Sequence, residues 1–223
     1  MLLLTQCHIA LIRLKWPHAI EGPPRAHQLR GAISSSFPQE PIFHQHEGDK
    51  FVYRYPLVQY RWERTAGIVV GINEGAERIV KMPWLDLSLQ LAEHKLVVAD
   101  AEIYYKKAPF GVSDKLECYS FLSPWVPFNQ ENYPKYQKLP PEEQRQERDR
   151  MLVAQLLSSL RGLKIDFPGR LYAAFELNRV VVAPYKDQAL TGFLGHFFTN
   201  VILPDHFAIG RSVSHGYGWL VKV

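Results

Sequence analysis

The spacing of apolar positions changes several times along this chain, and each change predicts an element. The apolar stretch at residues 1–17 (MLLLTQCHIALIRLKWP) predicts a buried first strand. EGPP at 21–24 breaks it, and Pro24 suits the first turn of a helix. Leu29, Ala32, Ile33 and Phe37 then recur at helical spacing until Pro38 and Pro41 close the segment. Residues 51–62 (FVYRYPLVQYRW) and 65–75 (TAGIVVGINEG) are rich in β-formers and predict a hairpin, with Pro56 at an edge or bulge. GAERIVKM predicts a short helix closed by Pro83, LDLSLQL alternates strictly as a strand does, and LVVADAEIYYKK predicts one more strand. The order of the first half is therefore β-α-β-β-α-β with one added strand, a ferredoxin-like arrangement.

The second half repeats the theme loosely. KLECYSFLSPWVPFN is extended and aromatic, and residues 141–163 form the strongest helical pattern, with Met151, Leu152, Leu156 and Leu160 on one stripe and Gly162 near the end. RLYAAFELNRVVVAPYK, ALTGFLGHFFTN and WLVKV predict strands. The irregular stretch ILPDHFAIGRSVSHGYG stands where a second helix belongs. The fold class expected is α+β, with tandem ferredoxin-like domains. A composition shift at 109–114 places the boundary between residues 1–108 and 109–223.

Composition narrows the class of protein. With 47% hydrophobic and 22% charged residues in 223, the chain supports a sizeable core, which excludes disorder as a description of the whole. The formal charge of +4 permits a nucleic-acid partner without demanding one, since a basic patch matters more than a total. Cys7 and Cys118 have neither redox nor zinc spacing, so two buried thiols in a reduced, cytoplasmic setting are expected. Gln6 and His8 interrupt the first apolar run, and no basic segment precedes it. Neither a secretion signal nor a membrane partner is expected.

Two stretches carry candidate chemistry. AIGRSVSHGYG sets Gly210, Gly216 and Gly218 around Arg211, Ser212, Ser214 and His215. Glycines admit close backbone approach, and successive exposed N–H groups form an anion nest. Arginine and hydroxyls suit phosphate, although a plain turn before the last strand explains the same letters. FHQHEGDKFVYRYP sets His44 and His46 two residues apart. On an extended segment both side chains point one way, about 6.5–7 Å apart, a span that brackets a phosphate group. Free histidine titrates near neutrality, so one ring can serve as base while the other serves as acid. A metal reading has only two ligands in the pair, with Glu47 and Asp49 as candidates at no firm spacing, against the three protein ligands of a catalytic zinc. A structural pair is the third reading. Arg25, Arg30 and Lys15 offer a basic path for RNA or a solvated face. Trp125, Phe128, Tyr133 and Tyr136 offer stacking platforms or, more simply, core.

LRGAISSSF, FHQHEGDKFVYRYPLVQY, GINEGAER, SPWVPFNQENYPKY, FFTNVILPD and IGRSVSHGYG, in this order over most of the chain, resemble the RAMP superfamily. Within it the chain resembles the CRISPR repeat-processing endoribonucleases, the Cas-six family, in its b-type branch. Ala208 departs from the first glycine expected in the glycine-rich loop, and His215 stands where a basic residue is common. The resemblance implies a cytoplasmic, metal-independent endoribonuclease without cofactor. It would cut precursor transcripts within repeats by 2′-OH attack, with His44, His46 and a nearby tyrosine as the catalytic set. Tyr53 matches best and Tyr55 is its rival. The resemblance also implies CRISPR repeat RNA as partner, with further subunits of an interference complex, or a second copy of the chain, as additional ones. A non-catalytic RNA-binding subunit and a metal-dependent nuclease are the alternatives.

Overall fold

The computed structural model describes residues 4–18, 25–44, 46–47, 50–51, 55–91, 93–185 and 188–223, with backbone alone for 46, 47, 50, 51 and 188. In chain order the elements are β1 (Leu4–Lys15), α1 (Ala26–Ser36), a 3-10 turn (Pro41–Phe43), β2 (His46–Glu47), β3 (Lys50–Phe51), β4 (Val58–Glu63), β5 (Ala66–Ile72) and α2 (Glu74–Ile79). They continue with β6 (Ser88–Leu91), β7 (His94–Val97), β8 (Asp100–Phe121), α3 (Tyr133–Gln137) and α4 (Pro141–Gly162). The last elements are β9 (Ala173–Tyr185), β10 (Gln188–Ile202), a second 3-10 turn (Val213–His215) and β11 (Leu220–Lys222).

The chain divides into two compact units. The first holds Cys7–Ala108 and gains Ser214–Gly216 from the C-terminal loop. Its strands lie in the order β4-β5-β1-β8, with β4–β5 and β1–β5 antiparallel. That is the order a β-α-β-β-α-β chain gives when its first and third strands are central. Alternation along β1 sends Ala10, Ile12 and Leu14 to one face, where they meet Leu29, Ala32 and Ile33 of α1 and Ala76 and Ile79 of α2. The opposite face carries charge. Arg13 pairs with Glu63 and Glu102, and Lys15 pairs with Glu102 and Asp100. Lys15 is thus held by carboxylates of β8, which also raise its pKa through the hydrogen bond to Glu102 first.

The second unit holds Pro109–Val213 and Tyr217–Val223, together with the chain's first residues through Gln6. Its strands run β11-β8-β10-β9, again antiparallel. This is the same ferredoxin-like arrangement, with the irregular stretch after β10 in place of the second helix. Helix α4 buries Leu152, Leu156 and Leu160 and packs on β9. Trp125, Phe128 and Tyr136 are buried, which decides for core over stacking platform at those positions, while Tyr133 is half-buried. Trp125 Nε1 donates to Gln155 Oε1 at 2.6 Å, and Arg148 Nη1 donates to the Tyr136 hydroxyl at 2.6 Å.

Three expectations are corrected. LVVADAEIYYKK is not one strand: β7 folds back on β6, Val98 donates to the Leu87 carbonyl, and β8 begins only at Asp100. No break separates IYYKK from KLECYSF, because β8 continues through Pro109 for 22 residues. Cys118 is half-buried, since alternate residues of β8 face outward there, whereas Cys7 is buried; both are free thiols. Among the described residues no helix is long and apolar enough to cross a membrane.

One contact fixes the chain just before the histidine pair. Phe43 is buried against Phe37 and Trp84, with ring centroids 5.6 and 6.4 Å away. Trp84 Nε1 donates to the Ile79 carbonyl at 2.7 Å and holds that wedge in place. Phe43→Ala should therefore lower unfolding free energy by about 3–5 kcal/mol, the usual cost of deleting a buried aromatic ring. Urea denaturation measures it, and a loss below about 1 kcal/mol would show that the wedge is not a fixed support.

Candidate active site

His44 closes the 3-10 turn that the two prolines and the buried Phe43 define. Its backbone is extended (φ −112°, ψ 142°), and its N–H donates to the Pro41 carbonyl at 3.0 Å. Ser34 of α1 donates to the Phe43 carbonyl at 3.0 Å and ties the helix to this turn. The half-buried imidazole places Nε2 3.3 Å from the Phe37 carbonyl. A carbonyl only accepts, so Nε2 carries a proton in this arrangement, and Nδ1 is the atom left for proton transfer.

A small cleft opens beside this ring. Arg30, His44, Tyr60 and Ser214 supply its polar lining, and Ile42, Pro56 and Leu57 are among its apolar walls. Arg30 comes from α1, where helical spacing turns it away from the Leu29–Ile33 core stripe. Ser214 comes from the loop before β11. Burial raises the pKa of the Tyr60 phenol well above the ordinary value, only partly offset by Arg30 and Ser34 beside it. It therefore stays a neutral hydrogen-bond donor across the physiological range.

The loop reaches this cleft by a close backbone approach. Gly216 has φ +91°, and a Cβ there would stand 2.7 Å from Ala26 Cβ and 3.2 Å from the Tyr60 carbonyl. Gly218 has φ +68°, and a Cβ would lie 1.8 Å from the Ile209 carbonyl oxygen, so no side chain fits. Between α1 and the loop, Arg30 Nη1 lies 3.0 Å from His215 Nε2. Guanidinium only donates, so His215 accepts at Nε2 and keeps its proton on Nδ1, which sits 3.3 Å from Ser214 Oγ.

The residues picked out by sequence thus separate into groups. Arg30, His44, Ser214 and His215 come together in one unit. Arg25 is exposed at the N-terminus of α1, where its N–H donates to Gln28 Oε1 at 2.7 Å. Gly210, Arg211 and Ser212 belong to the other unit. There Arg211 is exposed with its N–H on the Val126 carbonyl, Ser212 has φ +56°, and Gly210 packs on the Trp125 ring. The His46 side chain and all of Tyr53 lie outside the described residues. Tyr55 is buried, and its hydroxyl accepts from Gln59 Nε2 at 2.9 Å. Gln59 in turn accepts from Arg61, whose pKa burial pushes down to about 9. Among the described residues no group of three His, Cys, Asp or Glu side chains stands close enough to share a metal ion. Glu47 and Asp49, weighed as ligands, are not described at the side chain. The sequence did not single out Tyr60 or Ser34: Tyr60 is one β-former among several in an aromatic run, and only Ser34, one helical turn after Arg30, stands at a spacing that pointed to the same side of α1.

Comparison with known families decides the lineage. Residues 7–108 match the Cas6b N-terminal domain and residues 111–223 match the Cas6b C-terminal domain. The chain belongs to the Cas6b family. A Cas6b crystal structure is 25% identical, with 98% of this chain and 100% of that one covered and a TM-score of 0.88. A CRISPR RNA processing endoribonuclease Cas6b is 22% identical over 97% and 100% of the two chains, with a TM-score of 0.75, and shares the fold. A Cas6 product complex has the same fold at 14% identity and a TM-score of 0.58, covering 97% and 99%. An uncharacterized protein of Methanocaldococcus jannaschii is 30% identical over 138 residues, which is 62% of this chain and 92% of that protein. Membership of this Cas6b family bears out the resemblance carried by the motifs.

The Arg30 contact makes a spectroscopic prediction. Long-range nitrogen–proton NMR at neutral pH should show His215 with an unprotonated Nε2, and Arg30→Ala should shift that nitrogen's resonance. A His215 ring protonated on Nε2 in the wild-type protein would contradict the assigned hydrogen bond.

Proposed function

We propose that this Cas6b chain is a metal-independent endoribonuclease that cuts CRISPR precursor transcripts within their repeats and yields guide RNAs. The observation that carries the reading is His44 at the edge of a cleft lined by Arg30, Tyr60 and Ser214. The family supports it, as do the names of its structural relatives, an RNA processing endoribonuclease and a Cas6 product complex.

The chemistry needs a base, an acid and stabilisation of charge. The base removes the proton of a ribose 2′-OH, the 2′-oxygen bonds to the adjacent phosphorus, and the P–O5′ bond breaks. The acid protonates the departing 5′-oxygen. His44 and His46 share these two transfers, and Nδ1 of His44 is its acting atom. Each positioned transfer contributes about 10²- to 10⁴-fold. Tyr53 completes the catalytic set. Arg30 offsets charge that builds on the phosphoryl oxygens, as a preorganised donor does in a partly dry site, and the buried, neutral Tyr60 phenol packs behind it. Arg25, Gly210, Arg211, Ser212, Ser214, His215, Gly216 and Gly218 hold the RNA, mainly through its phosphates, because A-form grooves hide base identity. The domain division at residue 108 would leave catalysis on the first domain and most of the glycine-rich loop on the second, with Ser214–Gly216 joining the first.

Under single-turnover conditions His44→Ala and His46→Ala should each slow cleavage of a repeat RNA by about 10²-fold or more, with repeat affinity nearly unchanged. Excess EDTA should leave the rate as it was. A repeat with one 2′-deoxy sugar just 5′ of the cut should bind and remain whole. Cleavage of that deoxy substrate at the same bond, or loss of activity on chelation that zinc or magnesium restores, would defeat the mechanism. Arg211→Ala should weaken binding and reduce the salt slope by about 0.7, one single-strand phosphate contact; an unaltered slope would make that side of the loop only a turn.

A further inference from the structure

Arg78, the last residue of the GINEGAER stretch, lies outside the cleft but reaches the turn that carries His44. Its guanidinium, in the last turn of α2, meets the Glu40 carboxylate through two hydrogen bonds. Nε donates to Oε2 at 2.7 Å, and Nη2 donates to Oε1. These bonds lower the Glu40 pKa and raise that of Arg78. Most exposed ion pairs contribute little, but a two-point fork fixes an orientation as a single contact does not. The Glu40 side chain is only 19% exposed.

Glu40 is the knot of the turn. Pro41 after it confines its backbone to the extended region, here φ −103° and ψ 98°, and so sets where its side chain leaves the chain. Its N–H donates to the Phe37 carbonyl at 3.1 Å, and its own carbonyl accepts from the Phe43 N–H at 3.1 Å. The Phe37 carbonyl is the same one that faces His44 Nε2 at 3.3 Å. One acceptor thus takes both donors, and a swing of the Glu40 peptide would turn that oxygen away from the imidazole. Apolar packing grips the turn at Phe43. Glu40 instead borders an open groove of about 350 Å³ between the turn and α2, lined also by Pro41, Leu57, Glu74 and Lys81. The far end of the fork is firm, because Ile79, next to Arg78, is buried and its carbonyl accepts from Trp84 Nε1 at 2.7 Å.

We propose that Arg78 is a positioning residue for His44. Burial of Phe43 places the turn, and the Arg78–Glu40 fork aims it, holding the Phe37 carbonyl on Nε2 so that Nδ1 stays the bare nitrogen. The consequence for cleavage rests on the catalytic reading of His44, whereas the hold on the ring does not. Arg78 acts through Glu40 and the turn and touches no reacting atom. Without the fork the ring samples both tautomers and further rotamers, and the fraction of chains with Nδ1 ready for proton transfer falls.

Two measurements on the full chain test this. The first needs no RNA: long-range nitrogen–proton NMR at about pH 8, where a free histidine ring is neutral. His44, assigned by the signal lost in His44→Ala, should carry its proton on Nε2 in the wild type. Arg78→Ala and Glu40→Ala should each convert it to a mixture of tautomers, with the melting temperature nearly unchanged. The second is single-turnover cleavage of a repeat RNA at saturating protein. Each variant should be slowed by about tenfold at unchanged repeat affinity, and the double variant no further, since both remove the same fork. Arg78→Lys, which keeps the charge and loses the fork, should recover only part of the rate. An unaltered His44 tautomer in both alanine variants overturns the proposal, as do effects that multiply in the double variant. Wild-type rates in both, where His44→Ala is slow, overturn it too. So does a loss of repeat affinity at an unchanged saturating rate, which would make Arg78 an RNA contact. Wild-type cleavage by His44→Ala would defeat the catalytic reading instead, and the NMR comparison would still decide the hold on the ring.

Discussion

The hydrogen bond from Arg30 to His215 ties the first helix to the C-terminal loop and so closes one side of the cleft. It joins residues 185 positions apart, one on the first helix and one on the C-terminal loop. Arginine cannot accept, so the pair is satisfied only while His215 presents a bare Nε2. The same contact brings Ser214 to the cleft and requires the loop backbone to run against Ala26 and Tyr60, where only a glycine fits at position 216. An arginine so held is a preorganised donor. Its rotamer freedom is already restricted by His215, and the neutral Tyr60 phenol lies buried beside it.

His44 is placed by a different device, burial rather than a polar bond. The wedge of Phe37, Phe43 and Trp84 fixes the turn, and the Phe37 carbonyl then sets the ring's protonated nitrogen. Hydrophobic packing is stiff because interiors are close-packed, which suits a proton-transfer group whose efficiency depends on tenths of an ångström. Helix α1 serves both devices. Its inward stripe builds the core of the unit, Ser34 ties the turn, and Arg30 faces the cleft. One short helix thereby couples stability to the geometry of the proposed chemistry.

Much of this architecture was legible from residue order. The first strand, α1, the β4–β5 hairpin, α4 and the absence of a second helix after β10 all follow from period and punctuation, because each is bounded by local signals. The family was legible too, through ordered motifs. What the sequence hid was non-local. Nothing in LVVADAEIYYKK marks the turn at Val98, an apolar residue buried as a strand residue would be. The composition shift at 109–114 reads as a boundary between elements, yet β8 passes through it. Pairing of Arg30 with His215 requires the fold to be known, as does the burial of Tyr55, which looks like Tyr53 in the letters but whose hydroxyl accepts from Gln59. Tyr60 was hidden because it reads as one more β-former in an aromatic run.

In the mechanism proposed for this chain the 2′-oxygen of the RNA itself attacks the phosphorus, with side chains moving protons around it. The termini left by the reaction report this directly. Mass spectrometry of a cleaved repeat RNA should show a 5′-hydroxyl on one fragment and a 2′,3′-cyclic phosphate, or the 3′-phosphate derived from it, on the other. A 5′-phosphate paired with a free 3′-hydroxyl would mean that water attacked instead, and would rule out attack by the 2′-oxygen.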